Sequence, residues 1–323
     1  MEYRTLNRTD LKVSRVSFGT MTFGSQVNEA DAQRIVDRCF DAGVNFFDTA
    51  NVYNSGRAEE MLGKALGARR AQVIVATKVR GKMGEAPDEQ GLSGAAIQRA
   101  IDESLRRLGT DYIDVYYLHQ PDYGVPIDET LAAVDRLVRD GKVRYPAVSN
   151  YAAWQVADIR CICARAGYRP PYISQPMYNL LARGIEEEYV PFCKQFGVAI
   201  VPYNPLAGGL LTGKYKTRQQ PLAGGRFDGN QMYQDRYWHE DYFAAVEELD
   251  TVAREAGKTL VGLALEWLLA QPYVDSIILG ASRYEQLEEN LRACEAPRLS
   301  EQTLAACDAV WRRLRGITPK YNR

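Results

Sequence analysis

The sequence carries almost no net charge. Forty Lys and Arg stand against 41 Asp and Glu, leaving −1, and no block of like charges runs to five residues. A chain that neutralises a phosphate backbone carries a clustered basic excess, so a nucleic-acid partner is not expected. Long apolar runs are also missing. The most apolar stretch, Leu260 to Ala270, is broken by Glu266 and falls short of the roughly 20 residues that span a bilayer, so no membrane partner is expected. The opening MEYRTLNRTDLKV has no apolar core of a secretion signal, which points to the cytoplasm. Histidine is scarce, with two in the chain, and the six cysteines (Cys39, Cys161, Cys163, Cys193, Cys294, Cys307) form no CxxC pair. A metal site is therefore not expected, and the cysteines read as buried, reduced thiols of a cytosolic protein. Against these absences, 46% apolar and 25% charged residues are enough for a large folded core and exclude intrinsic disorder.

What the chain does have is alternation. VSRVSF (13–18), NFFDTA (45–50), VIVATK (73–78), IDVYYLH (113–119), VRYPAVS (143–149), YISQ (172–175), VAIVPY (198–203) and SIILG (276–280) read as strands bounded by Gly, Pro, Asn or Asp. Between them lie amphipathic patterns. Ile97, Ile101, Leu105 and Leu108 stop at Gly109, and Leu131, Val134, Leu137 and Val138 stop at Gly141. Further helices are predicted over 28–42, 57–67, 152–166, 184–196, 241–256, 259–271, 283–292 and 300–315. Eight strand-then-helix units whose strands are apolar nearly throughout predict a parallel sheet buried on both faces, and a single-domain (β/α)8 TIM barrel over 1–323 satisfies the pattern. A doubly wound nucleotide fold would want GxGxxG after its first strand. GTMTFG (19–24) has the wrong spacing. GGLLTGKY (208–215) resembles a P-loop but ends in Tyr215 where the Mg²⁺-binding Ser or Thr belongs. The stretch from Asn204 to about Asp235 has no clear periodicity, and a loop of that length is usually functional.

Chemistry in such a barrel sits where the strands end, because the βα loops meet at that face. The predicted ends are Asp48, Lys78, His119, Ser149–Asn150, Gln175, Tyr203–Asn204 and Gly280–Ser282. A lysine after VIVAT places an ammonium in a low-dielectric mouth, where it must be paired or lose its proton. Asp48 on the neighbouring strand can pair it. A buried pair of this kind stabilises a fold weakly compared with apolar residues, which favours a functional role. Tyr53, five residues beyond Asp48, is expected to lie over the same ammonium, with its pKa depressed by it. A lone histidine is more often structural, but His119 beside Asp, Lys and Tyr reverses that reading. The four predict a proton-delivery device: Tyr53 as general acid, Lys78 tuning it, Asp48 holding Lys78, and His119 orienting a carbonyl oxygen.

The run NFFDTANVY, VIVATK, DYIDVYYLHQPD, VSN, YISQPMYN, PYNPLAGGLLTGKY and IILGASRYEQLEEN resembles the aldo-keto reductase superfamily over essentially the whole chain, in particular the bacterial branch that also contains the β-subunits of voltage-gated potassium channels. The resemblance implies a catalytic tetrad of Asp48, Tyr53, Lys78 and His119 and NADPH-dependent reduction of an aldehyde or ketone, a small-molecule carbonyl substrate. It also implies cofactor contacts from Thr20, Met21 and Asp48, with Ser149, Asn150 and Gln175 on the nicotinamide amide and Tyr203 stacked on the ring. Asn204, Pro205, Leu206, Gly208, Lys214 and Arg226 would cover the pyrophosphate. Gly280, Ser282, Arg283, Gln286, Glu289 and Asn290 would hold the adenosine end. Ser282 is expected to cap the helix after Gly280, and a helix N-terminus beside Arg283 suits a 2′-phosphate, which favours NADP over NAD.

Pro146 and Ala147 depart from the family's usual glycine pattern, and Pro146 lacks a ladder donor. Asn51 stands where Asp is common. Met21, Phe23, Val52, Tyr53, His119, Tyr123, Tyr151 and Trp238 are expected around the substrate mouth, and RGKMGEAPDEQGL (80–92) reads either as a lid or as a surface excursion. Three functional readings stay open: a carbonyl reductase, a slow-turnover NADP-binding redox sensor that acts through protein contacts, and an enzyme run toward alcohol oxidation. The sequence is compatible with a homo-oligomer without indicating one.

Overall fold

The computed structural model describes residues 1–215, 221, 223–295 and 298–317. Residues 216–220 and 222, within the long loop predicted over 204–235, lie outside the described residues. The chain opens with an antiparallel hairpin of β1 (Tyr3–Thr5) and β2 (Lys12–Ser14). Eight parallel strands follow: β3 (Val16–Gly19), β4 (Phe46–Asp48), β5 (Ile74–Val79), β6 (Ile113–Leu118), β7 (Val143–Ser149), β8 (Ile173–Gln175), β9 (Ala199–Ile200) and β10 (Ile277–Leu279). From β3 to β9 each pairs with the next in sequence, and β10 pairs with β3. The ring closes where the Ile278 amide donates to Pro202 and the Asp275 amide to Ile200, at 3.1 and 2.9 Å. The helices are α1 (Glu29–Asp41), α2 (Arg57–Leu66), α3 (Gly94–Leu108), α4 (Ile127–Arg139), α5 (Ala153–Ala166), α6 (Tyr189–Phe196), α7 (Gln231–Tyr237), α8 (Glu240–Glu255), α9 (Leu260–Ala270), α10 (Tyr284–Cys294) and α11 (Glu301–Arg315). This is an α/β fold, a (β/α)8 barrel. No helix among the described residues is long and apolar enough to cross a membrane.

Side chains alternate across each strand, so the barrel has two cores. The outward set, including Val75, Val79, Tyr116 and Leu118, packs under the helices. The inward set, Phe46, Ile74, Ala76, Val115, Tyr117, Ala147, Ile173, Ala199, Val201 and Ile278, fills the lumen, with Leu6, Leu11 and Val13 of the hairpin segment packed beneath it. Continuing each inward row by one period of two reaches Asp48, Lys78, His119, Ser149, Gln175 and Tyr203. Strand phase alone therefore delivers apolar residues to the floor and polar residues to the C-terminal rim.

Several expectations change. The strand predicted over 13–18 is two strands, because the Ser14 hydroxyl turns back onto the Val16 carbonyl at 2.6 Å and the chain leaves the hairpin there. The helix predicted over 184–196 divides into a 3₁₀ turn at Gly184–Glu186 and α6. The long loop carries a 3₁₀ turn at Ala207–Thr212 and α7. Pro146 is accommodated because β7 pairs with β8 only through Val148 and Ser149, leaving that side of Pro146 without a ladder to complete.

Candidate active site

Lys78 is fully buried. Its ammonium donates to Asp48 Oδ1 at 2.5 Å and to the Thr49 carbonyl at 2.7 Å, and it reaches the Tyr53 hydroxyl at 3.4 Å. It also lies 4.9 Å from the Tyr53 ring centroid. Gln175 Nε2 donates to the other Asp48 oxygen at 2.7 Å, so the carboxylate is fixed from two strands. Burial alone would drive the Lys78 ammonium down, but the Asp48 charge and then Tyr53 hold it above the ordinary lysine value. His119 completes the set, its ring edge-on to Tyr53 at 6.1 Å. Burial, then the Lys78 and Arg80 charges, pushes the imidazole down to about 3. It is therefore a neutral hydrogen-bonding group at physiological pH.

The expected depression of Tyr53 is corrected. The protein packed around the phenol raises its pKa, and Lys78 pulls it back only in part. The turn bearing Tyr53 is tightly constrained: Asn54 and Ser55 adopt left-handed φ values of 49° and 53°, and the Asn54 amide holds the Met21 and Phe23 carbonyls at 3.1 and 2.6 Å.

Around this centre, the Thr20 hydroxyl is buried and donates to the Asp48 carbonyl at 3.3 Å. The Ser149 hydroxyl donates to the Gln175 carbonyl at 2.9 Å. Asn150, at φ 62°, donates to the His119 carbonyl at 2.9 Å and accepts from the Tyr203 hydroxyl at 2.8 Å. Asn204 accepts from the Gly208 amide at 2.6 Å, which ties the start of the loop into a left-handed turn at Gly208 flanked by buried Pro205 and half-buried Leu206. Asn290 donates to the Gly280 carbonyl at 3.2 Å, and Glu289 is exposed on the same helix.

Ser282 does not cap α10. Its hydroxyl and amide both donate to Gln286 Oε1, at 3.0 and 2.9 Å, and the N-cap is Arg283 with no side-chain cap bond. The helix thus presents an uncapped N-terminus, a natural place for an anion. Burial, followed by the Arg283 and Arg226 charges, lowers the Lys214 pKa, so three cations converge here. Arg226 also contacts Met21 Sδ at 3.0 Å. Among the described residues none of the three is in an ion pair. This donor set fits the phosphates of a dinucleotide.

Of the residues expected at the mouth, Met21 is 39% and Tyr123 85% exposed. Val52 is half-buried beside Tyr53, and Tyr151 is buried, its hydroxyl 3.5 Å from the Gln120 carbonyl. Phe23 is corrected: it is fully buried against Phe18 and offers no surface to a substrate. The Trp238 ring is taken up by an aromatic cluster of Tyr215 and Phe227 from the long loop and Phe243 from α8. The stretch 80–92 is tied down by Arg99, which pairs with Asp88 and Glu89 at 3.0 and 2.5 Å. Sequence reasoning missed the Gln175–Asp48 bond, whose only signal was the inward phase of Gln175. It also missed Arg80, whose Nε is buried without a partner; Asn51, noted in the sequence, is buried with its Oδ1 likewise unpartnered among the described residues.

Comparison with known proteins agrees over this whole frame. The aldo/keto reductase family model matches residues 15–312. A probable voltage-gated potassium channel subunit beta of Oryza sativa subsp. japonica is 37% identical over 318 residues, covering 96% of each chain. Aflatoxin B1 aldehyde reductase member 2 of Homo sapiens is 35% identical over 324 residues, covering 94% of this chain and 88% of its own. The uncharacterized oxidoreductase YrpG of Bacillus subtilis is 35% identical over 332 residues and 99% of both chains. With the match running from the first barrel strand into the last helix, this chain belongs to the aldo/keto reductase family and is an oxidoreductase of that family.

Proposed function

We propose that the chain is an NADPH-dependent reductase of aldehydes or ketones, with Tyr53 as the proton donor. The observation that carries this reading is the buried Lys78 ammonium touching both Asp48 and Tyr53, with neutral His119 against the same phenol. When bound, the nicotinamide dinucleotide supplies the hydride. Lys214, Arg226, Arg283 and the α10 N-terminus would hold its phosphates, and Ser149, Asn150, Gln175 and Tyr203 line the place for its nicotinamide end. Tyr53 stays protonated, the form a general acid needs, and donates to the carbonyl oxygen as negative charge develops there. His119, neutral, orients that oxygen by hydrogen bonding, and Lys78 stabilises the phenolate left behind. Asp48, held by Gln175, keeps the ammonium aimed at the phenol. The six cysteines are free, which supports a reducing, cytoplasmic setting.

The test is NADPH consumption by the purified protein with aromatic, aliphatic and sugar aldehydes, quinones and ketosteroids, run beside Tyr53→Phe and repeated with NADH. The reading requires turnover that falls by about 10² to 10⁴ in the variant. A second reading, a slow-turnover NADP-binding regulator acting through protein contacts, is favoured by the 37% identity to a protein named as a channel β-subunit. Tight NADPH binding without turnover on any carbonyl would select it.

A further inference from the structure

Arg80 stands two residues after Lys78 and directly beyond β5. The carbonyl of its neighbour Val79 accepts from the His119 amide at 3.0 Å. On its other side Gly81 is pressed against the residue preceding Tyr53, since a Cβ there would lie 2.5 Å from Val52 Cβ. The residues on either side of Arg80 thus touch the His119 main chain and Val52, and the Arg80 charge acts on the His119 imidazole. Its backbone holds φ at 127°, a left-handed value that a non-glycine residue adopts only when its surroundings impose it. The Gly91 amide locks it there by donating to the Arg80 carbonyl at 3.0 Å.

Among the described residues the side chain so placed has no counter-ion. Its Nε is buried without a hydrogen-bond partner, and among the described residues the guanidinium makes no ion pair. This is not for want of carboxylates in the same loop. Glu85 pairs with Lys82, and Asp88 and Glu89 pair with Arg99. Asp122 is spent on the Leu92 and Gly124 amides at 2.9 and 3.1 Å. A half-buried guanidinium is costly to leave unpaired, and its planar fork matches a carboxylate.

We infer that Arg80 is the anion-recognising residue of the substrate pocket, and that the preferred carbonyl substrate carries a carboxylate. The inference rests on the carbonyl-reductase reading and narrows its substrate class. No new chemical step is involved. Arg80 binds the carboxylate while the carbonyl is presented to Tyr53 and His119.

The experiment compares kcat/KM with NADPH for straight-chain aldehydes of matched length ending in either a carboxylate or a methyl group, in the wild type, Arg80→Gln and Arg80→Lys. The wild type is expected to favour the acid by about tenfold or more, as a charge-assisted pair supplies. Arg80→Gln should collapse that ratio through KM for the acid, and Arg80→Lys should retain part of it. Equal use of both aldehydes by the wild type, or a ratio unchanged in Arg80→Gln, overturns the inference. The reductase reading is judged separately, on the wider carbonyl panel; if neither of these two aldehydes turns over, calorimetric binding of the unreactive pentanoate ion in the presence of NADP⁺ decides the role of Arg80. Binding lost in Arg80→Gln supports it; absent or equal binding overturns it. Thermal unfolding of both variants shows whether the fold is intact.

Discussion

Thr77 and Lys78 are consecutive residues of β5, and each reaches a buried carboxylate on an opposite side of the sheet. Thr77 points outward to Glu59, which accepts from its hydroxyl at 2.5 Å and from Arg107 Nε at 2.6 Å. Arg107 is further held by Glu103 at 3.2 Å and packed so closely that a Cβ on Gly56 would lie 2.8 Å from its Cδ. Lys78 points inward to Asp48 and Thr49 but meets Tyr53 only at 3.4 Å. Both pairs are dry. The outer one is closed, every strong donor and acceptor being engaged by protein, whereas the inner one keeps a loose third contact at the rim. Burial of a charge does not distinguish structure from chemistry; an unfinished coordination facing an opening does.

Crossed substitutions separate the two. Tyr53→Phe should remove about 10² to 10⁴ of turnover while leaving the urea midpoint where it was, since it deletes only the long contact. Arg107→Ala should do the reverse, lowering stability by about 3–5 kcal/mol because it leaves the buried Glu59 carboxylate without its cation. Activity measured well below its melting range should stay within severalfold of wild type. An Arg107→Ala protein as stable as the parent would break the comparison. Smaller in effect, Arg283→Ala should weaken NADPH binding about tenfold more than NADH binding, because only the former carries the 2′-phosphate. Equal loss in titrations of the two would move the phosphate to Arg226 or Lys214.

The smallest effect concerns His119. The folded protein keeps this imidazole neutral down to about 3, against an ordinary value of 6.5. Between those values the unfolded chain binds more protons, so this residue makes stability fall as pH drops through that window. His119→Gln should show a shallower loss of unfolding free energy between pH 6.5 and 5 than the wild type. A parallel loss in both would mean that the imidazole is charged in the fold.

The barrel was legible because each strand is a short β-branched run closed by a turn residue, and the tetrad because strand phase carries the inward row onto Asp48, Lys78 and His119. What stayed hidden depended on where side chains turn outside regular structure. The three-residue strands of the hairpin are too short to show a period, and Val13 and Val16 read as one run although one packs under the lumen and the other beneath a helix. Phe23 lies in a loop whose sequence says nothing about direction. Ser282 has the composition of a cap, but Gln286 one turn later competes for its hydroxyl. The sign of the Tyr53 shift turned on the atoms packed around it, which no spacing reveals.

The hairpin beneath the barrel has one consequence for traffic. Leu6, Leu11 and Val13 cork the lumen floor, and above them side chains fill it to the level of Tyr117. The reaction chamber is thus a cup with a single lip. Reactants arrive and products depart over the same rim, so an occupant that has not left bars the next, and steady-state measurements should show strong product inhibition in an obligatory order.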